Sequence, residues 1–326
     1  MALQSNRFWR SQLAGYLFIS LAIFNFAGNI VAARAMGDVL PPATANMLRW
    51  TLATLIILPF SLRAMWEERH ILRKNFILLC VVALSGISLF DLFLFIAGQT
   101  TSALNIALIS TLSPLATAVL ARVLIGERNH MIVYVGAVIS MVGVAYLVTD
   151  GNLSQLLQLQ FGHGDLFVIA TCILAAAYNV LVKKVGDDIS QKAMLGVMFT
   201  LGVVFLCPMF IWETFENGGM PPVSTKALLL LTYLAVGASI LCYLFWNMAV
   251  VILGATRTTL FYYVIPIVSG VLAWVFLGEP VSATQLYGGA IIFIGIILSL
   301  LKNSSDRQEP EQEGKSVSTT PEPAIQ

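Results

Sequence analysis

Charge is what this sequence has least of. Lys, Arg, Asp and Glu make up 11% of its 326 residues, against about 25% in a soluble globular domain, and so few ionisable groups cannot solvate a water-facing surface of that size. An aqueous globular fold is excluded. Cysteine is scarce too. Cys80, Cys172, Cys207 and Cys242 all lie inside apolar runs, where a thiol acts as a small hydrophobe, so neither a disulfide framework nor zinc spacing is present. The three histidines, His70, His130 and His163, fall in loops or at span ends without metal-ligand spacing. HExxH, GxSxG, Walker A and a strand-borne GxGxxG are all missing, which leaves no motif for a metal, a nucleotide cofactor or enzymatic chemistry. A net charge of +1 gives no bulk electrostatic case for nucleic acid.

What is there is hydrocarbon. Hydrophobic residues are 58% of the chain and its mean hydropathy is +0.85. A membrane-spanning helix takes about 20 mostly apolar residues. Cutting at charge clusters and Pro/Gly breaks predicts ten spans, at 13–34, 43–62, 75–97, 101–124, 131–149, 164–184, 192–212, 226–250, 256–277 and 283–301. The first apolar run, Leu13 to Ala33, is too long for a signal-peptide core and reads as a retained span. Residues 302–326 turn abruptly polar and rich in Pro, Glu and Ser, the composition of a disordered tail.

Lysine and arginine set the expected orientation. With a cytoplasmic N-terminus, fifteen of the 18 fall inside, only Arg34 and Lys226 fall outside, and Arg49 lies within a span. That asymmetry places both termini in the cytoplasm, with the chain multi-pass in the inner or plasma membrane. The basic run from Arg63 to Lys74 reads as an inside anchor that can touch anionic lipid.

The stretch Ala103–Val148 recurs at Ala255–Leu300. With an offset of 266 − 114 = 152 and no gap, Pro114 falls on Pro266, Gly126-Glu127 on Gly278-Glu279, Gly136 on Gly288 and Gly143 on Gly295. These residues carry position-specific backbone demands, so the match marks an internal duplication. Each copy holds five spans, an odd number, and the second copy therefore enters the membrane from the opposite side. Inverted repeats of this kind are a usual basis of alternating access.

A Leu/Pro helix ending in L-x-I/L-G-E, followed by a glycine-striped helix and present twice over ten spans, resembles the EamA-type branch of the drug/metabolite transporter superfamily. The resemblance covers 13–149 and 164–301 as two five-helix repeats. It implies an all-α fold with a central cavity between spans 1, 3, 4, 6, 8 and 9, and with spans 5 and 10 packing the halves together. It also implies a secondary transporter that exports a small metabolite. A flippase for a lipid-linked substrate on the same helices is the alternative.

Within that frame several residues stand out. Pro114 and Pro266 read as helix-interior prolines, either static kinks or hinges. Gly136, Gly143, Gly288 and Gly295, with Ser140 and Gly289 nearby, read as a packing face between the halves. Gly126-Glu127 and Gly278-Glu279 read as helix ends, with Ser282 and Gln285 as a capping box, and proton coupling is the other role open to the glutamates. Arg49 and Asp91 lie at similar depth toward the outer side, near enough for a structural ion pair. Alternatively, Arg49 binds an anionic substrate group or Asp91 carries a proton. Asn25 and Asn29 share a face of span 1, and Tyr178 and Asn179 take the equivalent place in span 6. These either bond helix to helix or join Ser110, Tyr243, Trp246, Tyr262 and Tyr263 in a neutral, aromatic-rich lining. Such a lining suits an amino acid or similar amphipathic solute. The expected partners are that solute, the bilayer and, under the coupling reading, protons; a monomer suffices.

Overall fold

Every apolar run is helical, and no strand occurs among the described residues. The computed structural model describes residues 11–37, 39–277 and 283–301. Arg7, Arg10, Gly278, Glu279, Ser282 and the tail 302–326 lie outside them.

Span 1 is α1 (Gln12–Gly37) and span 2 is α2 (Pro42–Glu67), which leads into a short helix, α3 (Arg69–Lys74). Span 3 joins α4 (Phe76–Ala83) to α5 (Leu89–Thr100) through a π-helical segment, Leu84–Ser88. Span 4 is broken into α6 (Ala103–Ser110) and α7 (Ser113–Ile125), and span 5 is α8 (Met131–Val148). The second half follows the same order. Spans 6 and 7 are α9 (His163–Gly186) and α10 (Gln191–Glu216), and span 8 joins α11 (Thr225–Tyr233) to α12 (Cys242–Leu253) through a π segment, Leu234–Leu241. Span 9 is α13 (Ala255–Leu260), a 3-10 turn (Phe261–Val264) and α14 (Ile265–Leu277), and span 10 is α15 (Ala283–Leu301). Nine of these spans are long and apolar enough to cross a membrane among the described residues. The tenth crossing is α1, whose 26 residues reach roughly 39 Å at 1.5 Å per residue.

The halves depart from regular helix at matching places. Shifting Leu84–Ser88 by 152 gives 236–240, inside the second π segment, and shifting the Thr111 break gives 263, inside the 3-10 turn. Two hydrogen bonds join residues to their own repeat counterparts, which happens only beside the axis relating the halves. Ser140 Oγ donates to the Ile292 carbonyl at 3.2 Å (140 + 152 = 292), and Tyr263 Oη donates to the Thr111 carbonyl at 2.9 Å (111 + 152 = 263). The fold is all-α and membrane-integral, ten helices in two inverted five-helix repeats.

Packing follows small residues. A Cβ at Gly136 would lie 2.2 Å from Ser299 Oγ and 2.3 Å from the Gly295 carbonyl, and one at Gly295 would lie 2.4 Å from the Gly136 carbonyl. Backbone therefore meets backbone along α8 and α15, where lipid tails are as apolar as leucine and close approach supplies the attraction. Gly143 and Gly288 continue that seam, whereas Gly289 faces Ile267 of α14 at ordinary contact distance. Elsewhere the first helices are exchanged: α1 packs on α12 and α14 of the second half, and α9 packs on α5, α6 and α7 of the first.

α2 and α10 also lie side by side, and each receives a carboxylate from the end of the other. Glu213 of α10, buried, accepts from the backbone N–H groups of Ala43 and Thr44 at 2.9 and 2.7 Å and from Thr44 Oγ1 at 2.8 Å. Glu68, just past α2, accepts from the Ser190 N–H at 2.9 Å where α10 begins. Helix N-termini leave N–H groups unpaired and favour negative charge, which is what each carboxylate supplies.

One reading of the prolines changes. Pro114 and Pro266 are not helix-interior; each is the second residue of a helix, α7 and α14, where a missing N–H costs nothing. The irregular turns precede them, because the ring cannot follow a regular α-helical turn. Among the described residues the helix-interior prolines are Pro59 and Pro208. Gly126 ends α7 in the left-handed region at φ +67°, as its sequence position predicts.

Candidate substrate site

Spans 1, 2, 3, 6, 7, 8 and 9 send polar and aromatic side chains into one connected network. Arg49 stands two turns into α2, and Asp91 sits in the first turn of α5, just past the π segment of span 3. They make no direct ion pair. Arg49 Nε instead donates to Ser239 Oγ, in the π segment of span 8, at 2.8 Å. Its guanidinium carbon lies 4.8 Å from the Trp50 ring centroid, and Trp50 Nε1 donates to Asp91 Oδ2 at 3.2 Å. The two charges attract each other across this arrangement, and both side chains remain half-buried.

Around Trp50 the rings are closely set. Phe199 and Tyr243 lie 5.0 and 5.2 Å from it, edge to face, and Tyr178 lies 5.9 Å from Tyr243. Tyr243 Oη donates to the Gly86 carbonyl of the first π segment at 2.6 Å. Gly86 has to be glycine at this point, since a Cβ would fall 2.3 Å from the Tyr178 ring. A second group joins Phe26 of span 1 to Trp246 and Tyr262 at 5.5 and 6.4 Å. Edge-to-face geometry is the arrangement ring quadrupoles prefer.

Hydrogen bonds tie span 6 to span 8. Tyr178 Oη donates to Asn247 Oδ1 at 2.5 Å, and Trp246 Nε1 donates to Asn179 Oδ1 at 2.7 Å. Asn179 also donates to the Ala175 carbonyl of its own helix. The span 1 amides behave differently. Asn25 Nδ2 donates to the Leu21 carbonyl one turn back, while Asn29 Oδ1 is buried with no hydrogen-bond donor among the described residues.

The structure thus brings together Arg49, Asp91, Tyr178, Asn179, Tyr243, Trp246 and Tyr262. Ser110 is half-buried at the end of α6, and no hydrogen bond joins it to the network among the described residues. Tyr263 is turned away, buried in its bond to Thr111. Trp50, Phe26, Phe199, Ser239 and Asn247 complete the site and were not singled out from sequence. Trp50 follows Arg49 in the chain, but in the sequence it reads as one more aromatic of an apolar run.

The face carrying Arg122, Arg128, Lys183 and Lys184 is tied together across the halves. Glu127 Oε1 accepts from the Thr256 N–H at 3.2 Å and Asn129 Nδ2 donates to Thr256 Oγ1 at 3.1 Å, which fixes the end of span 4 on the turn between spans 8 and 9. Lys183 Nζ of span 6 donates to the Val251 carbonyl at 2.7 Å, and α13 packs on α7 and α9. At the opposite face the repeat-related pairs, α6 against α14 and α6 against α1, do not pack comparably among the described residues.

Known proteins place this architecture. A crystal structure of a protein aligns with it at a TM-score of 0.71, covering 92% of this chain and 100% of its own, at 18% identity, and so shares its fold. An uncharacterized transporter of Bacillus subtilis, YyaM, is 26% identical over 290 residues, 87% of this chain and 91% of that protein. The "Probable terminal-alkyne amino-acid exporter" of Streptantibioticus cattleyicolor is 24% identical over 214 residues, 64% of this chain and 68% of its own. The EamA-like transporter family matches residues 13–149 and 162–301, and with both halves so covered the chain belongs to that family of membrane proteins that move small solutes across the bilayer.

Proposed function

We propose that the protein is a secondary transporter that exports a zwitterionic, amphipathic small molecule of the amino-acid class, by alternating access, with both termini in the cytoplasm. The observation that carries this reading is the relation of Arg49 to Asp91. Two opposite charges lie within electrostatic reach in the membrane interior, each held by a neutral partner and neither neutralised by direct contact. Ionisable groups at that depth are costly and are retained at solute or ion pathways. Arg49 suits a carboxylate, Asp91 an ammonium group, and the rings of Trp50, Tyr243, Trp246 and Tyr262 suit an apolar side chain.

The one-sided packing supports alternating access. If both faces were built alike, the inverted repeat would pack them alike; at the cation-rich face α13 packs on α7 and α9, whereas at the other face α6 does not pack comparably on α14 and α1 among the described residues, and the cation-rich face is read as the closed one. By the positive-inside asymmetry the closed face is cytoplasmic. Exchange of the two arrangements would open it, with the breaks before Pro114 and Pro266 as the bending points. The likeness to an amino-acid exporter supports the substrate class. The two five-helix repeats, 13–149 and 164–301, are the moving units, the substrate's own gradient or proton exchange drives the cycle, and a monomer carries the whole site.

Counterflow of labelled amino acids in proteoliposomes tests this reading, with wild type, Arg49→Gln and Asp91→Asn compared with and without a pH gradient. Saturable exchange in wild type, lost in Arg49→Gln, is expected. Asp91→Asn that abolishes gradient-driven flux while sparing counterflow would make Asp91 the proton carrier; loss of both would make it a substrate ligand. If no amino acid exchanges, the substrate class is wrong, and transbilayer movement of a lipid-linked substrate replaces it.

A further inference from the structure

The cation-rich face also holds a groove outside the solute path. It is a cavity of about 280 Å³ between α2, α3, α4 and α10, walled by Leu72, Phe76, Leu79 and Leu201, with Arg69 and Arg73 at its mouth. We propose that this groove binds one anionic phospholipid, with its phosphate on Arg69 and Arg73 and an acyl chain along the apolar wall.

Charge complementarity selects that occupant. The acids of the same stretch are already engaged: Glu67 accepts from Arg63 at 2.8 Å, and Glu68 is turned to the start of α10. Among the described residues Arg69 has only neutral partners, donating to the Trp66 carbonyl at 2.9 Å and lying 5.0 Å from the Trp66 ring centroid. Arg73 has no acidic partner among the described residues. Two guanidinium groups one helical turn apart on α3 therefore remain uncompensated, and a phosphate diester with its forked oxygens is the anion they fit.

Depth selects a lipid over a soluble phosphate. Trp66, Phe76 and Ile77 are 71, 51 and 78% exposed, an aromatic and aliphatic collar of the kind found where helices leave the hydrocarbon. The groove runs from that collar into the membrane, past Leu79 and Leu201. A free anion would leave this apolar wall uncovered. The contrast within the molecule is direct: a second groove, at the end of α10 by Phe210, Phe215 and Gly219, has no cation in its lining.

Thermal unfolding of the full chain in micelles doped with phosphatidylglycerol or phosphatidylcholine of equal chain length tests the proposal. Phosphatidylglycerol should raise the unfolding temperature by several degrees over phosphatidylcholine. Arg69→Gln with Arg73→Gln, and separately Leu201→Trp to fill the groove, should abolish that difference while leaving unfolding in phosphatidylcholine unchanged. Arg128→Gln with Lys184→Gln, exposed cations of the same face, should keep it. Equal loss in this control pair would mean diffuse attraction, and an equal shift with inorganic phosphate would mean a plain anion site; either result overturns the proposal, as does a difference surviving in both groove variants.

Discussion

Arg49 and Asp91 are joined through Trp50: the indole N–H bonds the carboxylate at 3.2 Å and the indole face lies 4.8 Å beneath the guanidinium. The ring holds the two charges in place while keeping them from neutralising each other. Hydrogen bonds to charged groups contribute about 1.5–3 kcal/mol. Trp50→Phe keeps a ring for Phe199 and Tyr243 but removes the N–H, so Asp91 is freed to swing toward Arg49. Counterflow should show KM raised about tenfold or more, with folding by size-exclusion chromatography unchanged. An unaltered KM would remove Trp50 from the site.

The α8/α15 seam predicts a sharp contrast between two glycines. At Gly136 an added methyl would meet the Gly295 carbonyl at 2.3 Å, and backbone cannot yield as a flexible side chain can. Overpacking in a tight interior costs about 1–3 kcal/mol or more. At Gly289 the nearest atom is Ile267 Cδ1 at 3.5 Å, an ordinary contact. Thermal unfolding should therefore fall clearly for Gly136→Ala and stay near wild type for Gly289→Ala. Equal effects would place the tight contact elsewhere.

How far the sequence carries depends on the kind of signal. Ten crossings, the duplication and the α8/α15 seam were legible, because charge placement, Pro and Gly answer to backbone and bilayer demands that any fold must meet. Arg49 and Asp91 were legible because ionisable groups in a span are rare. The π segments were not: LSGIS and LAVGASIL look like any apolar helix, and the close approach of Tyr178 to Gly86 in the first of them is seen only in the folded chain. Trp50 was hidden by being one more aromatic in an apolar run. The Glu68 and Glu213 caps were hidden because they depend on which helix ends meet in space.

Those caps make a prediction about stability. Glu213 fills two oxygens with three donors, all buried, and removing one acceptor leaves an N–H of Ala43 or Thr44 without a partner. A buried unsatisfied donor costs about 1–3 kcal/mol. Glu213→Gln should lower the unfolding temperature measurably more than Glu68→Gln, since Glu68 is half-exposed and holds one N–H, while Ser190 Oγ separately caps α10 at Ala193. The reverse order would mean that the α2/α10 pair does not depend on the buried carboxylate.

Glu127 bears on the closed face in the same way. Its Oε1 takes the N–H of Thr256, a residue with no exposed surface, and it sits against Gly254, whose φ of +97° allows the chain to turn there from span 8 into span 9. Glu127→Ala leaves that N–H buried and unpaired only while the face stays shut; opening lets water reach it. The closed arrangement should thus weaken by about 1–3 kcal/mol relative to the open one, a shift of roughly 5- to 150-fold in their ratio. Leu253, 2% exposed where span 8 meets Gly15, reports the change. In a background lacking the native cysteines, Leu253→Cys should react with a small water-soluble maleimide slowly, and faster by that factor once Glu127→Ala is added. Glu127→Gln, which keeps an acceptor oxygen, should restore most of the protection. If alanine and glutamine label alike and at the parent rate, the carboxylate does not hold the gate, and the Lys183 bond to the Val251 carbonyl becomes the contact to break next.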